Sequence, residues 1–314
     1  MTTVLSRRQV TLTRSYDVGV AAPYRLDLTV SVLRRLSTNI VDVLTPQGQY
    51  VRVLACFRQP VVVRATQTRP DALVITLEGA VAEHAQALAV VRRMLGIDHD
   101  LSQFERAVSG FPWLRHLAIR MRGVKPPRYP SLWEACVNAV VFQQVSLVAA
   151  NSILRRMIIA LGQPIARNDI SLRAFPSAES FQGASDGILR RAGLSANKLG
   201  ALRRVAGALL SGALDETSLE ERPSADASAL LCRIKGIGPW TATVILLRGL
   251  GRLDVFPMND TSVARNLAFV AGAAAAIDID RVLAALGPQR GMLYYHLLLA
   301  RLEARDDIGR ASAS

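Results

Sequence analysis

Ile234-Lys235-Gly236-Ile237-Gly238-Pro239-Trp240-Thr241-Ala242 is the stretch on which the reading of this chain turns. An apolar run at 227–233 (ASALLCR) precedes it and another at 243–250 (TVILLRGL) follows, so the window reads as helix, tight turn, helix. Gly236 and Gly238 let the backbone take conformations closed to other residues, and Pro239 suits the first position of the second helix, where an N–H would lack a partner anyway. A phosphate can approach the N–H groups of such a turn and the positive end of the helix dipole, with no side chain in the way. Taken alone, G-x-G is as readily a plain connection between two helices.

It does not stand alone. Next comes Asp254-Val255-Phe256-Pro257-Met258-Asn259-Asp260, then 261–270 (TSVARNLAFV), which is spaced as a helix. Asn259 or Asp260 suits the N-cap of that helix. The same location favours an ionised carboxylate, because the N-terminal dipole stabilises negative charge. One residue can cap a helix and face a substrate.

Outward from this centre, 81–305 reads as helical, with runs at 82–95, 150–161 and 198–210. Ser131 and Glu134 form a capping-box pattern directly after Pro130, predicting a helix that runs through Gln143 and Gln144. Before residue 80 the signal changes to short β-prone runs at 11–18, 49–57, 60–68 and 72–79, with turns at 46–48 and 69–71 and a helical spacing at 26–36. The predicted class is α+β: a small N-terminal antiparallel sheet domain with a helix (1–80), an all-helical core (81–305) and a polar, flexible tail (306–314).

Composition sets bounds on function. The 38 basic against 25 acidic residues suit a polyanionic partner. Nearly all the positive charge is arginine, the only lysines being Lys125, Lys198 and Lys235, and arginine cannot act as a Schiff-base nucleophile. Cys56, Cys136 and Cys232 are too scattered for a disulfide framework, a zinc site or an iron–sulfur cluster, and His84, His99, His116 and His296 show no ligand spacing. No apolar run is long enough to span a bilayer, so no membrane association is expected. Residues 1–15 are acid-free and carry Arg7, Arg8 and Arg14; a first strand is preferred there to an organellar transit segment.

The hairpin with Asp260 resembles the helix-hairpin-helix DNA glycosylase superfamily. With 130–146 (PSLWEACVNAVVFQQVS) and Phe175-Pro176-Ser177, most of the chain resembles the bacterial 3-methyladenine DNA glycosylase II family. That resemblance implies an α+β domain ahead of a helical glycosylase core. It implies catalysis by Asp260, a base pocket holding Trp240 with Tyr294 or Tyr295, and DNA contacts by Gly236, Ile237, Gly238, Thr241, Gln143 and Gln144. Gln144 takes the wedge position that fills the gap left by a flipped nucleotide. Trp240 stands where strand-cutting relatives carry a lysine, which implies hydrolysis without lyase activity. Val32, Val244 and Gln289 replace pocket aromatics of the family. No cofactor is implied, although the backbone carbonyls of Cys232, Lys235 and Ile237 are candidates for a monovalent cation.

The chemistry suits an aspartate. Breaking an N-glycosidic bond builds positive charge on the sugar, and a carboxylate stabilises it and orients water. The expected partner is double-stranded DNA with damaged bases, met in the cytoplasm by a monomer. The base stays open among 3-methyladenine, 7-methylguanine, 1-methyladenine, hypoxanthine and ethenoadenine. The alternative is a helix-hairpin-helix DNA-binding module with weak or lost catalysis.

Overall fold

The computed structural model describes residues 11–167, 170–258, 261–272 and 277–309. The first strand begins at Thr11; the basic opening lies outside the described residues, so the transit reading does too.

The N-terminal sheet contains β1 (Thr11–Gly19), β2 (Val43–Leu44), β3 (Tyr50–Leu54), β4 (Val61–Arg69) and β5 (Ala72–Ala80), antiparallel throughout and ordered β1-β5-β4-β3-β2. Residues 70 and 71 form the β4–β5 turn expected from Arg69-Pro70-Asp71, and the pair carries a register shift at Gln67/Arg69. Alternation sorts the two faces. Val61, Val63 and Ala65 of β4 and Leu73, Ile75 and Leu77 of β5 pack beneath α1 (Leu26–Arg34) and α2 (Val81–Met94). Because α2 contributes Ala87, Val90, Val91 and Met94 to that core, the sheet domain's packing extends to Ile97, past the boundary drawn at 80.

The opposite face is covered by an element that the helical reading of 81–305 omits. A hairpin of β6 (Pro164–Arg167) and β7 (Ile170–Arg173) buries Ile165 and Leu172 against Val51, Val53 and Val62. This is why β3 is buried at all five positions. Its Arg52 lies 1% exposed in the seam, donating to Asp42 at 2.6 Å and to Glu134 across the domain junction.

Elsewhere the described chain is helical: α3 (Ser102–Ala107), α4 (Pro112–Arg120), α5 (Leu132–Val141), α6 (Leu147–Leu161), α7 (Ala178–Gly183), α8 (Asp186–Arg191) and α9 (Ala196–Leu210). Then follow α10 (Glu216–Glu220), α11 (Ser224–Cys232), α12 (Pro239–Gly249), α13 (Thr261–Ala271), α14 (Ile279–Leu286) and α15 (Met292–Glu303). Ser131 caps α5 by accepting from the Glu134 N–H at 3.3 Å. Glu134 does not return the contact, since its carboxylate goes to Arg52. α5 stops at Val141, short of the expected Gln143–Gln144, because Gln144 takes a φ of +53°, which a helix cannot accommodate. Two cores result: one joins α5, α6, α9, α11 and the start of α12; the other joins α3, α4, α14 and α15 with the underside of α1. The expected flexible tail is docked as far as the structure describes it. Arg34 donates to the Asp307 carbonyl at 3.1 Å, and the Gly309 N–H to Ser31 Oγ at 3.0 Å. No helix among the described residues is long and apolar enough to cross a membrane.

Candidate active site

The hairpin between α11 and α12 forms as the glycines require. Gly236 has a φ of +103°, and a Cβ there would lie 2.5 Å from that of Ala201 on α9, so any side chain would push the turn off its support. The Ile237 side chain, 3% exposed, anchors the tip in the core while its N–H bonds to the Ile234 carbonyl. Gly238 is the N-cap of α12 with no side-chain cap, and Pro239 is in the first turn. The start of α12 therefore keeps its dipole and its amides uncovered by a capping side chain.

Gln143 ties this hairpin to the turn after α5. Its Nε2 donates to the Gly236 carbonyl at 3.1 Å and to Thr241 Oγ1 at 2.7 Å. Thr241 is 2% exposed, so its hydroxyl serves Gln143 and not an outside partner. Gln143 and Thr241, both expected among the DNA contacts, thus hold hairpin and turn together through their side chains. Gln144, next in the chain, is exposed. Val145 and Val148 beside it are large apolar side chains left in solvent.

A cavity of about 380 Å³ opens behind that turn. Val145 and Val148 line it on one side, Trp240 and Val244 of α12 on another, and Val263 and Asn266 of α13 on a third. Tyr294, Leu297 and Leu298 of α15 line it as well, with Phe142 and Arg35. Trp240 and Tyr294 thus reach the cavity. Tyr295 does not: fully buried, it donates its hydroxyl to the carbonyls of Leu247 at 3.1 Å and Pro127 at 3.3 Å. Burial raises its pKa further above the usual tyrosine value. Tyr295 is a core residue, which corrects its assignment to the pocket.

Two replacement positions also lie elsewhere. Val32 is packed in the α1–α15 core, its carbonyl accepting from Arg248 at 2.9 Å. The Gln289 side chain accepts from the Phe104 N–H at 2.6 Å and donates to the Asp100 carbonyl at 2.8 Å. Sequence reasoning missed Arg35 and Phe142; the signal was Arg35 at the end of the helix that carries Val32.

Asp260 lies outside the described residues. Thr261, the next residue, begins α13, and Val263 and Asn266 of that helix line the cavity. No lysine reaches the cavity. Lys125 donates to the His99 carbonyl at 2.9 Å and Lys198 to the Val141 carbonyl at 2.8 Å, while Lys235 stands exposed at the hairpin. Burial lowers the pKa of Lys125 and Lys198, as a lysine nucleophile needs, but both ammonium groups are already committed to carbonyls.

The carbonyl set considered for a cation does not fit one. The Lys235 carbonyl already accepts from Arg204 Nε at 2.8 Å, and an ion placed there would meet a guanidinium. No group of three or more metal-ligating side chains occurs among the described residues.

The family model of HhH-GPD superfamily base excision DNA repair proteins matches residues 137–286, from α5 to the end of α14. The chain is 35% identical over 178 residues to a probable bifunctional transcriptional activator/DNA repair enzyme AlkA of Mycobacterium tuberculosis, which covers 55% of this chain but only 34% of that protein's length. It is 27% identical over 251 residues to DNA-3-methyladenine glycosylase 2 of Escherichia coli, covering 78% of this chain and 84% of the relative. Among solved structures, a 3-methyladenine DNA-glycosylase from Archaeoglobus fulgidus shares the fold with a TM-score of 0.76 at 22% identity, over 90% of this chain and 97% of the other. Over residues 137–286, just under half of its length, the chain is similar to the HhH-GPD superfamily of base excision DNA repair proteins.

Proposed function

We propose that the protein is a monofunctional DNA glycosylase that flips an altered base out of duplex DNA and hydrolyses its N-glycosidic bond, with Asp260 as the catalytic carboxylate. The observation that carries this reading is the convergence on one cavity of α12, which the hairpin starts, and α13, which begins one residue after Asp260. The hairpin, with Ile237 as its buried anchor, grips backbone phosphate through the amides at Gly236, Gly238 and the start of α12. Gln144, exposed at a left-handed turn beside Val145, enters the space left by the flipped nucleotide. The base then stacks between Trp240 and Tyr294, and Asp260 stabilises positive charge on the sugar and orients water.

Hydrolysis without strand cleavage is supported by Trp240 at the position where strand-cutting relatives carry lysine, and by the commitment of Lys125 and Lys198 elsewhere. The protein acts as a monomer on cytoplasmic DNA. The test is incubation with duplex DNA carrying alkylated purines, with free base and strand breaks measured separately. Free base with intact strands is expected; an adduct trapped by borohydride would overturn the monofunctional reading, and tight binding without release would favour a DNA-binding module.

A further inference from the structure

Residues 306–309, expected within a flexible tail, are folded back against α1 and the residues after it, and this return sets one side chain of the cavity. Tyr294, Leu297, Leu298 and Arg301 recur at helical spacing on α15, and Arg305, one turn beyond Arg301, continues their stripe just past the helix end. The stripe changes along its length from aromatic and apolar to cationic. Resting on the glycosylase reading, we infer that Arg305 binds a phosphate of the strand that carries the extruded nucleotide, and that Asp307 and Ser37 are positioning residues that hold it there.

Asp307 is only 6% exposed, and both of its carboxylate oxygens are used, as burial of an acid requires. Oδ1 accepts from the Ser37 N–H at 3.4 Å and from Ser37 Oγ at 3.3 Å, which fixes the carboxylate to the segment after α1. Oδ2 accepts from Arg305 Nε at 3.3 Å. Held by Nε alone, Arg305 keeps both Nη groups without a hydrogen bond to the described residues, on a side chain 39% exposed. Those two donors match phosphate oxygens in pairs. Fixing the guanidinium beforehand lowers the entropy lost when a long side chain is immobilised on binding.

The charge balance suits an anion. Arg34 donates to the Asp307 carbonyl, so two guanidinium groups flank one carboxylate. Glu303 is held by Arg120 at 3.3 Å, and neither it nor Asp306 lines the cavity. Against the Asp260 carboxylate that the glycosylase reading brings to this site, the described wall sets Arg35, Arg265, Arg301 and Arg305, which leaves positive charge over. Arg305 stands three turns from Tyr294, on the order of 16 Å along the axis. That is too far for the base that stacks on Tyr294 and suits a phosphate of the strand beside it.

The test is binding by the full chain to two duplexes of one sequence, one undamaged and one with a single tetrahydrofuran abasic analogue, across a salt series. Extrusion brings the phosphate to the cavity, so the contact is expected on the analogue and not on the undamaged duplex. Arg305→Ala should weaken analogue binding about fivefold to tenfold and lower its salt slope by about one, with undamaged duplex changed by about twofold or less. Arg305→Lys should recover part of the loss. Asp307→Asn separates positioning from net charge: removing an acid strengthens attraction to DNA by field alone, whereas a loosened Arg305 weakens analogue binding. The double variant should then bind no more weakly than Arg305→Ala. Undiminished analogue binding by Arg305→Ala, an equal loss on both duplexes, or tighter binding by Asp307→Asn overturns the inference. Arg305→Ala and its salt slope decide it if Asp307→Asn does not fold. Base release from alkylated duplex is followed alongside. Release by wild type with analogue binding indifferent to Arg305 sinks this inference and leaves the glycosylase standing. An Arg305-dependent preference for the analogue with no release does the reverse.

Discussion

Arg52 and Arg35 are both nearly inaccessible arginines of the N-terminal domain, yet their surroundings differ in kind. Arg52 sits between Asp42 and Glu134, with Tyr50 donating its hydroxyl to the same Asp42 oxygen at 2.7 Å, and it joins the sheet to α5. Arg35 has an aromatic ring beneath it, and the described wall of its cavity offers it no carboxylate. A buried charge with two opposite charges is fixed in place and serves the fold. A buried charge at a cavity wall with no opposite charge beside it costs stability and is understandable as part of a binding site.

The largest effect expected from this contrast is on folding. Arg52→Ala leaves two buried carboxylates without their partner and should destabilise the protein by about 3–5 kcal/mol in urea unfolding. Arg35→Gln strands no acid and should stay within about 1 kcal/mol of wild type. Equal losses would erase the distinction.

His296 supplies a third case, a buried base that yields its charge. Its Nδ1–H donates to the Met292 carbonyl at 2.8 Å and its ring stacks on Phe104, and burial pushes its pKa down to about 4. The unfolded chain takes up that proton below about 6.5 while the folded protein does not until about 4. The unfolded state therefore binds more protons in this window, and stability falls as pH drops from 6.5 towards 4, by about 3 kcal/mol from this group. Unfolding of wild type and His296→Gln across pH 4–7 measures it; the variant should show a shallower dependence.

A smaller effect is expected at the joint between hairpin and turn. Gln143→Ala removes two hydrogen bonds and should lose about 1–2 kcal/mol of stability, with weaker duplex binding, whereas Gln144→Ala should leave stability within about 0.5 kcal/mol and affect only DNA-dependent steps. Stability loss in Gln144→Ala to match would mean that both glutamines are structural.

What could be read in the sequence was what is local. β1, β3, β4 and β5 lay in β-prone runs bounded by turn residues, and the glycines and proline of the hairpin announced a turn between helices. The β6–β7 hairpin was invisible because its strands have four residues each and gain their burial only from the far face of another sheet. α5 kept apolar spacing past Val141, so nothing in the residue types marked its end at the left-handed Gln144. Tyr294 and Tyr295 could not be told apart, since neighbours on a helix point about 100° apart and only packing decides which faces the cavity. The charge of the cavity was hidden for a related reason. Arg35, Arg265 and Arg301 come from α1, α13 and α15, and their proximity is a property of the fold.

Asp260 is proposed as the carboxylate that stabilises the sugar as the base departs. That role is tested most directly by base release from lesion-bearing duplex DNA by wild type and Asp260→Asn, with duplex binding and thermal unfolding measured on both. The account predicts release by wild type, a fall of at least about 10²-fold in the variant, as for removal of one charge-stabilising group, and unchanged binding and folding. Equal release by the two proteins would contradict it.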